Sequence, residues 1–498
     1  MGLVRICARS PDENLLNRNP LQRVALFFLL ATVSAHAQIV PDDVKAGAKA
    51  LRDQAMKDTI AYELLASLTM EVGPRSAGSA GDAAAVAWAI QMMKGLGFQN
   101  VRTEEVLVPH WQRGSISAHI TAPFPQSLVA TSLGGSPATP EHGIQAEVVR
   151  VESLNELRAL TSDDLAGKIA FVDHVMERAK DGDGYSAASR IRSCGHYAAA
   201  ERGALATIIR SAGTSVHRVP HTGSMLNNSI PADIPAIALA NADADLLSYQ
   251  VNTGEKVTVR LHSTAQNLPK MKSANVIGEA PGRGALADEI VLLGAHLDSW
   301  DLGTGAIDDG AGVAIVTAAA KLILNHADAP RRTIRVVLFA NEEFGLDGAK
   351  QYNENLATDI DKHVIGLEAD FGAGRVWKFS SRVADDALTI IDEIHALLEP
   401  IGIERGKNTA SGGADLSPMR KAGMPVFSFT QDGTYYFDYH HTPDDTIDKI
   451  DRDDLNQNVA AYVTAAFIAA NIEQDFGRLT PDTRRKRSCS ADDDDWES

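Results

Sequence analysis

Beyond residue 275 the chain alternates short apolar runs with longer helical patterns, at 290–295, 311–325, 333–340, 364–371, 385–398, 425–430 and 455–471. Ile290-Val-Leu-Leu-Gly-Ala295 is short, β-branched and bounded by turn residues, so it reads as a buried strand, and the segment from Val313 reads as a buried helix. Such alternation predicts a largely parallel sheet with helices on both faces. The same α/β texture opens the chain. Apolar positions at helical spacing cover 42–70, with Asp42 and Asp43 in the first turn, until Gly73-Pro-Arg-Ser-Ala-Gly-Ser79 breaks the pattern. An Ala-rich helix follows over 82–94 and a strand over 101–109. Between 123 and 262 short β-rich runs dominate (146–151, 168–172, 206–209, 236–239, 257–261), with one helical stretch at 187–202. This middle portion reads as an inserted β-rich domain that covers or shapes a cleft.

Length and charge narrow the picture. At 498 residues the chain is too long for one ordinary core. Its 44% hydrophobic and 22% charged residues are those of a soluble globular protein. The net charge of −18 excludes nucleic acid as a partner, because phosphate would be repelled. Near the start, Arg23 precedes an apolar stretch over 24–33 and then Ser34-Ala-His-Ala37, the pattern of a secretory signal peptide cleaved after Ala37. A spanning helix needs about 20 apolar residues, so the protein is expected to be exported, to the periplasm or outside the cell, and not anchored. Of the three cysteines, Cys7 leaves with the signal and Cys489 lies in a polar tail. A structural disulfide is therefore not expected, nor a zinc–thiolate site. Opposed charge blocks, Arg484 to Arg487 and Asp492 to Asp495, make 476–498 an expected disordered tail.

The candidate chemistry lies at strand ends. In open α/β sheets functional groups gather at the carboxyl edge, and here four apolar runs end in metal-ligand residue types. The run 290–295 leads to His296, with Asp308 across a loop that also carries Asp298, Asp301 and Asp309. The run 335–340 leads to Asn341-Glu342-Glu343, the next to Asp370, and the last into His440-His441-Thr-Pro-Asp444-Asp445-Thr446. One strand-end Asp alone is most often a helix cap or turn former; four such ends in alternation are not. Imidazole with carboxylate and no thiolate fits zinc, cobalt or manganese better than calcium or magnesium. Two His, two Asp and one Glu bring a charge of −3, which two divalent ions and a bridging hydroxide balance, so a two-metal centre is expected.

At these residues the sequence resembles peptidase family M28, the co-catalytic zinc peptidases. His296-Leu-Asp298, Asp308-Asp-Gly310, Asn341-Glu-Glu343, Asp370 and His441-Thr-Pro-Asp-Asp-Thr446 look like that family's ligand set. Gly73-Pro-Arg75, Pro109-His-Trp111, Arg210-Ser211, Pro220-His-Thr-Gly223, His296 to Trp300 and His440-His441 are similar to its carboxypeptidase Q branch. The resemblance implies a three-layer α/β/α zinc-peptidase fold with a central mixed, mostly parallel sheet. Its catalytic domain would comprise 38–122 and 263–475, interrupted by a smaller protease-associated-like domain over 123–262. It also implies two Zn²⁺ per chain. Asp308 would bridge both, His296 and Asp370 would complete one site, and Glu343 and His441 the other. Glu342 would be the general base and Asp298 the carboxylate that orients His296. Adjacent residues of an extended segment point apart, which would let Glu342 and Glu343 divide proton transfer and ligation.

The implied activity is hydrolysis of dipeptides or short peptides near a free terminus, as a carboxypeptidase or dipeptidase, with homodimers suggested. An M28 aminopeptidase and a glutaminyl-cyclase-like acyltransferase with a single zinc are the alternatives. Other positions stay open between two readings. His440 is an oxyanion donor or a packing residue, and a register slip of one would make it the ligand in place of His441. Tyr435 and Tyr436 line the cleft or belong to the core, and Asp415 holds a substrate amino group or forms a turn. Asp301, Asp309, Asp444 and Asp445 read as loop and capping carboxylates.

Overall fold

The computed structural model describes residues 39–225, 234–356, 359–481 and 489. The expected signal segment and both charge blocks of the tail lie outside the described residues. The fold is mixed α/β, built on two eight-stranded sheets. Strands of the first run in the order Gln99–Gln112, Gln266–Ala280, Thr333–Phe339, Ile290–His296, His363–Glu368, Val426–Gln431, Val376–Arg382 and Glu404–Arg405. The inner four, Thr333–Phe339 through Val426–Gln431, are mutually parallel, so their carboxyl ends share one edge. Strand Ile290–His296 is buried at every residue, which is why it reads as an unbroken apolar run. Alternate side chains feed opposite cores. Val291, Leu293 and Ala295 pack with helices Asp42–Ala55, Ala311–Leu324 and Arg452–Asn471, whereas Leu292 joins Val337, Phe339, Tyr352 and Met419 on the other face.

Several local features differ from expectation. The helical pattern of 42–70 is divided into Asp42–Ala55, Ile60–Ser67 and a wider turn, Leu68–Val72. Asp58 restarts it by accepting a hydrogen bond from the Ile60 N–H at 2.8 Å, a local bond that competes with helix continuation. Gln266–Ala280 forms a long antiparallel pair with Gln99–Gln112; only its last third is apolar, so most of it is silent in the hydrophobic pattern.

The second sheet begins at Ile116 and ends at Ser263, somewhat outside the expected 123–262. It holds the parallel strands Ile144–Val151, Ile169–Val172, Ala206–Arg210 and Ala236–Leu239 together with helices Tyr185–Ala200 and Asn241–Val251, so the region is α/β rather than simply β-rich.

Cys194 and Cys489 form a disulfide, contrary to expectation. The chain returns past residue 475 instead of leaving the surface: Phe476 is fully buried against Phe427, and the Leu479 N–H donates to Gly423 O at 3.0 Å. Cys489 meets Cys194 of helix Tyr185–Ala200, and its carbonyl accepts from Arg158 of the short helix Leu154–Ala159 at 3.0 Å. The tail expected to begin at 476 is thus packed at its start. Among the described residues no helix is long and apolar enough to cross a membrane.

His363 opens the strand beside Ile290–His296 and is fully buried, with Nε2 2.9 Å from the Tyr352 hydroxyl. Burial pushes its pKa down to about 3, aided by Arg335. The folded chain therefore refuses a proton that the unfolded chain accepts below about 6.5, and stability falls as pH drops from there toward 3. Between pH 7 and 5, wild type is expected to lose about 2 kcal/mol more than His363→Gln in urea unfolding. Equal losses in both would contradict this account.

Candidate metal centre

His296 ends its strand, Glu342 and Glu343 follow Thr333–Phe339, and Asp370 lies just past Glu368. His440 and His441 follow the short helix Tyr436–Tyr439, and the loop after His296 returns at Asp308 to the same edge. The structure brings these side chains together in two groups that share one carboxylate. Asp308 Oδ1 lies 3.1 Å from His296 Nε2, which is 3.3 Å from Asp370 Oδ1. Asp308 Oδ2 lies 3.1 Å from His441 Nε2, which is 3.0 Å from Glu343 Oε2. A narrow cleft beside them is lined by Trp300, Asp308, Glu343 and His441 among others.

Neighbouring groups fix this arrangement. Asp309 accepts from Gly312 N in the first turn of helix Ala311–Leu324 at 3.0 Å and from His296 N at 3.1 Å. Asp445 accepts from the amides of Ile307 at 2.6 Å and Asp308 at 3.2 Å, and both aspartates fit the expected role of loop carboxylates. Trp300 donates from Nε1 to Glu343 Oε2 at 2.5 Å. The segment that follows strand Ala206–Arg210 contributes as well: His441 Nδ1 lies 3.2 Å from Thr222 O, and His221 Nδ1 lies 2.8 Å from His440 O. Sequence reasoning missed Trp300 and the part played by His221 and Thr222, although all three stand in motifs it singled out.

Some expected roles take a different geometry. The Asp298 carboxylate lies 3.7 Å from His296 Nδ1, within ion-pair reach of the ring but not near enough to hydrogen-bond to it. The Asp298 backbone carbonyl accepts from Nδ1 at 3.0 Å. The carboxylate instead accepts from the amides of Glu342 at 3.0 Å and Glu343 at 3.4 Å, holding the turn that carries both glutamates. These two residues are in a turn and not an extended segment, since Asn341 has φ +59°. At the other end, φ +62° at His441 puts consecutive imidazoles on one side, stacked with centroids 3.5 Å apart. His441 meets both Asp308 and Glu343, whereas His440 reaches only Asp308, at 3.4 Å. Tyr436 packs with Phe371 and His440, and Tyr435 is 64% exposed beneath Arg178. Asp301 pairs with Arg113. Asp415 is fully buried; its N–H donates to Glu368, and neither carboxylate oxygen has a hydrogen-bond partner among the described residues.

The electrostatics ask for positive charge. Desolvation, then Asp370, pushes Glu342 well above the ordinary glutamate range, and Glu343 and Asp370 are also raised, by desolvation first. His296 and His441 are desolvated too, yet Asp370 holds the first and Glu343 the second well above the usual histidine value. A divalent cation among these groups would supply the positive charge that these displacements favour. Glu343 Oε1 is buried with no hydrogen-bond partner among the described residues. Convergent imidazole and carboxylate atoms with an unsatisfied oxygen fit a nitrogen/oxygen metal site.

Residues 275–466 match the model of peptidase family M28. Carboxypeptidase Q of Bos taurus is 34% identical over 83% of this chain and 86% of its own length, and that of Homo sapiens is 33% identical over the same shares. The chain belongs to peptidase family M28. It is thus a metallopeptidase, a hydrolase of peptide bonds. The crystal structure of a peptidase M28 precursor from Shewanella amazonensis superposes with a TM-score of 0.87 at 48% identity, covering 88% of this chain and 99% of that one. A zinc aminopeptidase of Bacillus subtilis shares the fold, with a TM-score of 0.61 at 20% identity over 86% of this chain and 98% of that one.

Asp298→Ala frees the two amides that hold the glutamate turn. Divalent-metal affinity, measured by chelator competition, is expected to weaken about 10–100-fold with the circular dichroism spectrum retained. Unchanged affinity would contradict the role given to that carboxylate.

Proposed function

We propose that the chain is an exported di-zinc exopeptidase of dipeptides or short peptides. The observation that carries this reading is the division of Asp308, one oxygen toward His296 and Asp370 and the other toward Glu343 and His441. Each group would hold one zinc, with Asp308 common to both. Bound there, two zinc ions would acidify water and polarise the substrate carbonyl.

The chain's own part in the reaction is proton handling and positioning. Glu342 is half-buried beside the candidate ligands. Its carboxylate takes the proton of the attacking water and returns it to the leaving amine. Asp298 keeps Glu342 and Glu343 in their turn, while Trp300 donates to the Glu343 oxygen nearest His441. The Cys194–Cys489 disulfide supports export, since such bonds persist in oxidising compartments. Residues 116–263, with their own sheet, are read as an inserted domain. Homodimers belong to this reading as an expectation from the resemblance.

Carboxypeptidase action is preferred because the carboxypeptidase Q relatives are more similar in sequence than aminopeptidase YwaD of Bacillus subtilis, which is 24% identical over 84% of this chain. Dipeptides blocked at one end read the polarity. A carboxypeptidase cleaves the amino-blocked substrate and spares the carboxyl-blocked one, and a chelator abolishes turnover; the reverse pattern identifies an aminopeptidase. Glu342→Gln is expected to lose about 10²–10⁴-fold in kcat while binding zinc as wild type does. Retained turnover in that variant overturns the assignment of Glu342.

A further inference from the structure

Arg75 is a buried charge that the mechanism above leaves unused. It is fully buried, yet among the described residues every hydrogen bond of its guanidinium ends on a main-chain carbonyl. Nε donates to Leu297 O at 2.5 Å, Nη1 to Thr304 O at 2.7 Å and to Gly73 O at 3.4 Å, and Nη2 to Gly305 O at 2.8 Å. Its own main chain adds two contacts, Arg75 N to Ser299 Oγ at 3.3 Å and Ser299 N to Arg75 O at 3.4 Å.

All but the Gly73 contact fall on the loop that joins His296 to Asp308. That loop contains Gly303 and Gly305 and has no regular structure of its own before 306. Its buried carbonyls need donors, and a planar guanidinium supplies several in fixed directions where a lysine ammonium would not. The approach is close enough to demand glycine at 305: a Cβ there would sit 2.4 Å from Ser299 Cβ and 2.7 Å from Arg75 Nη1, at φ +60°. Asp445 completes the hold from the other side by accepting from the amides of Ile307 and Asp308. A donor-only group therefore grips the carbonyls at both ends of the loop, and an acceptor grips the amides that follow.

We propose that Arg75 is a positioning residue for the metal centre, holding the loop from Leu297 to Gly305 in the shape that presents Asp308 before metal binds. The inference rests on the metal-site reading above. Charge and geometry make opposite demands here. A positive group near the site repels a second cation, so removing the charge alone would tighten metal binding, whereas losing the fork would weaken it.

Zinc affinity of the full mature protein, measured by chelator competition, separates the two. Arg75→Lys keeps the charge without the fork and Arg75→Gln removes both. Each is expected to bind zinc about 10–100-fold more weakly than wild type, with an altered visible spectrum when loaded with cobalt(II). Wild-type affinity in Arg75→Lys, tighter binding in Arg75→Gln, or a change confined to melting temperature overturns the proposal. Should the arginine variants fail to fold, Gly305→Ala displaces the same loop with Arg75 intact. The same weakening is expected there, and wild-type affinity overturns the proposal. If wild type itself binds no zinc, the metal-site reading fails; if wild type binds and the variants bind equally well, only the role of Arg75 fails.

Discussion

Too much negative charge in too little water is the constraint on which this molecule turns. Asp308, Glu343 and Asp370 converge with two imidazoles at the carboxyl edge of a parallel sheet, and Glu342 stands beside them. Burial and mutual repulsion push Glu342, Glu343 and Asp370 above the ordinary carboxylate range, while the carboxylates hold His296 and His441 above the usual histidine value and the histidines hold Asp308 below its own. Metal binding would offset that repulsion with divalent charge, so the same cluster that costs stability when empty of cations becomes a strong ligand set.

The rest of the fold serves the placement of that cluster. Parallel strands bring four chain segments to one edge, but they leave the loops after them free to wander. Each loop is pinned by groups whose own partners are main chain. Asp445 and Asp309 hold amides near Asp308, Asp298 holds the amides of both glutamates, and Arg75 holds carbonyls. The segment that follows strand Ala206–Arg210 joins in rather than merely covering a cleft. Thr214 N bonds to Phe437 O at 2.9 Å and Thr222 N to His441 O at 3.0 Å, so the segment bearing both histidines rests on it.

Much of this was legible in the sequence, and the parts that were not have a common cause. Strands such as Ile290–His296 and Ala236–Leu239 announce themselves because burial on both faces makes them continuously apolar. His296, Glu343, Asp370 and His441 stand out because an apolar run leads to each, and Asp308 because it closes an acid-rich loop that begins at His296. Asp298 was noticed for its spacing from His296, yet its carboxylate goes to amides more than forty residues away. Trp300 and Arg75 were visible as parts of motifs, but their partners are atoms of distant residues, which no local pattern encodes. Cys489 misled for the same reason: it is remote along the chain from Cys194 and adjacent to it in space.

Zinc stoichiometry of the wild-type protein and of Asp308→Ala, read by elemental analysis after equilibrium dialysis, tests the central claim most directly. A carboxylate shared by both groups predicts two zinc ions per wild-type chain and the loss of tight binding at both positions in the variant. Two ions retained by Asp308→Ala, or fewer than two in wild type, would contradict it.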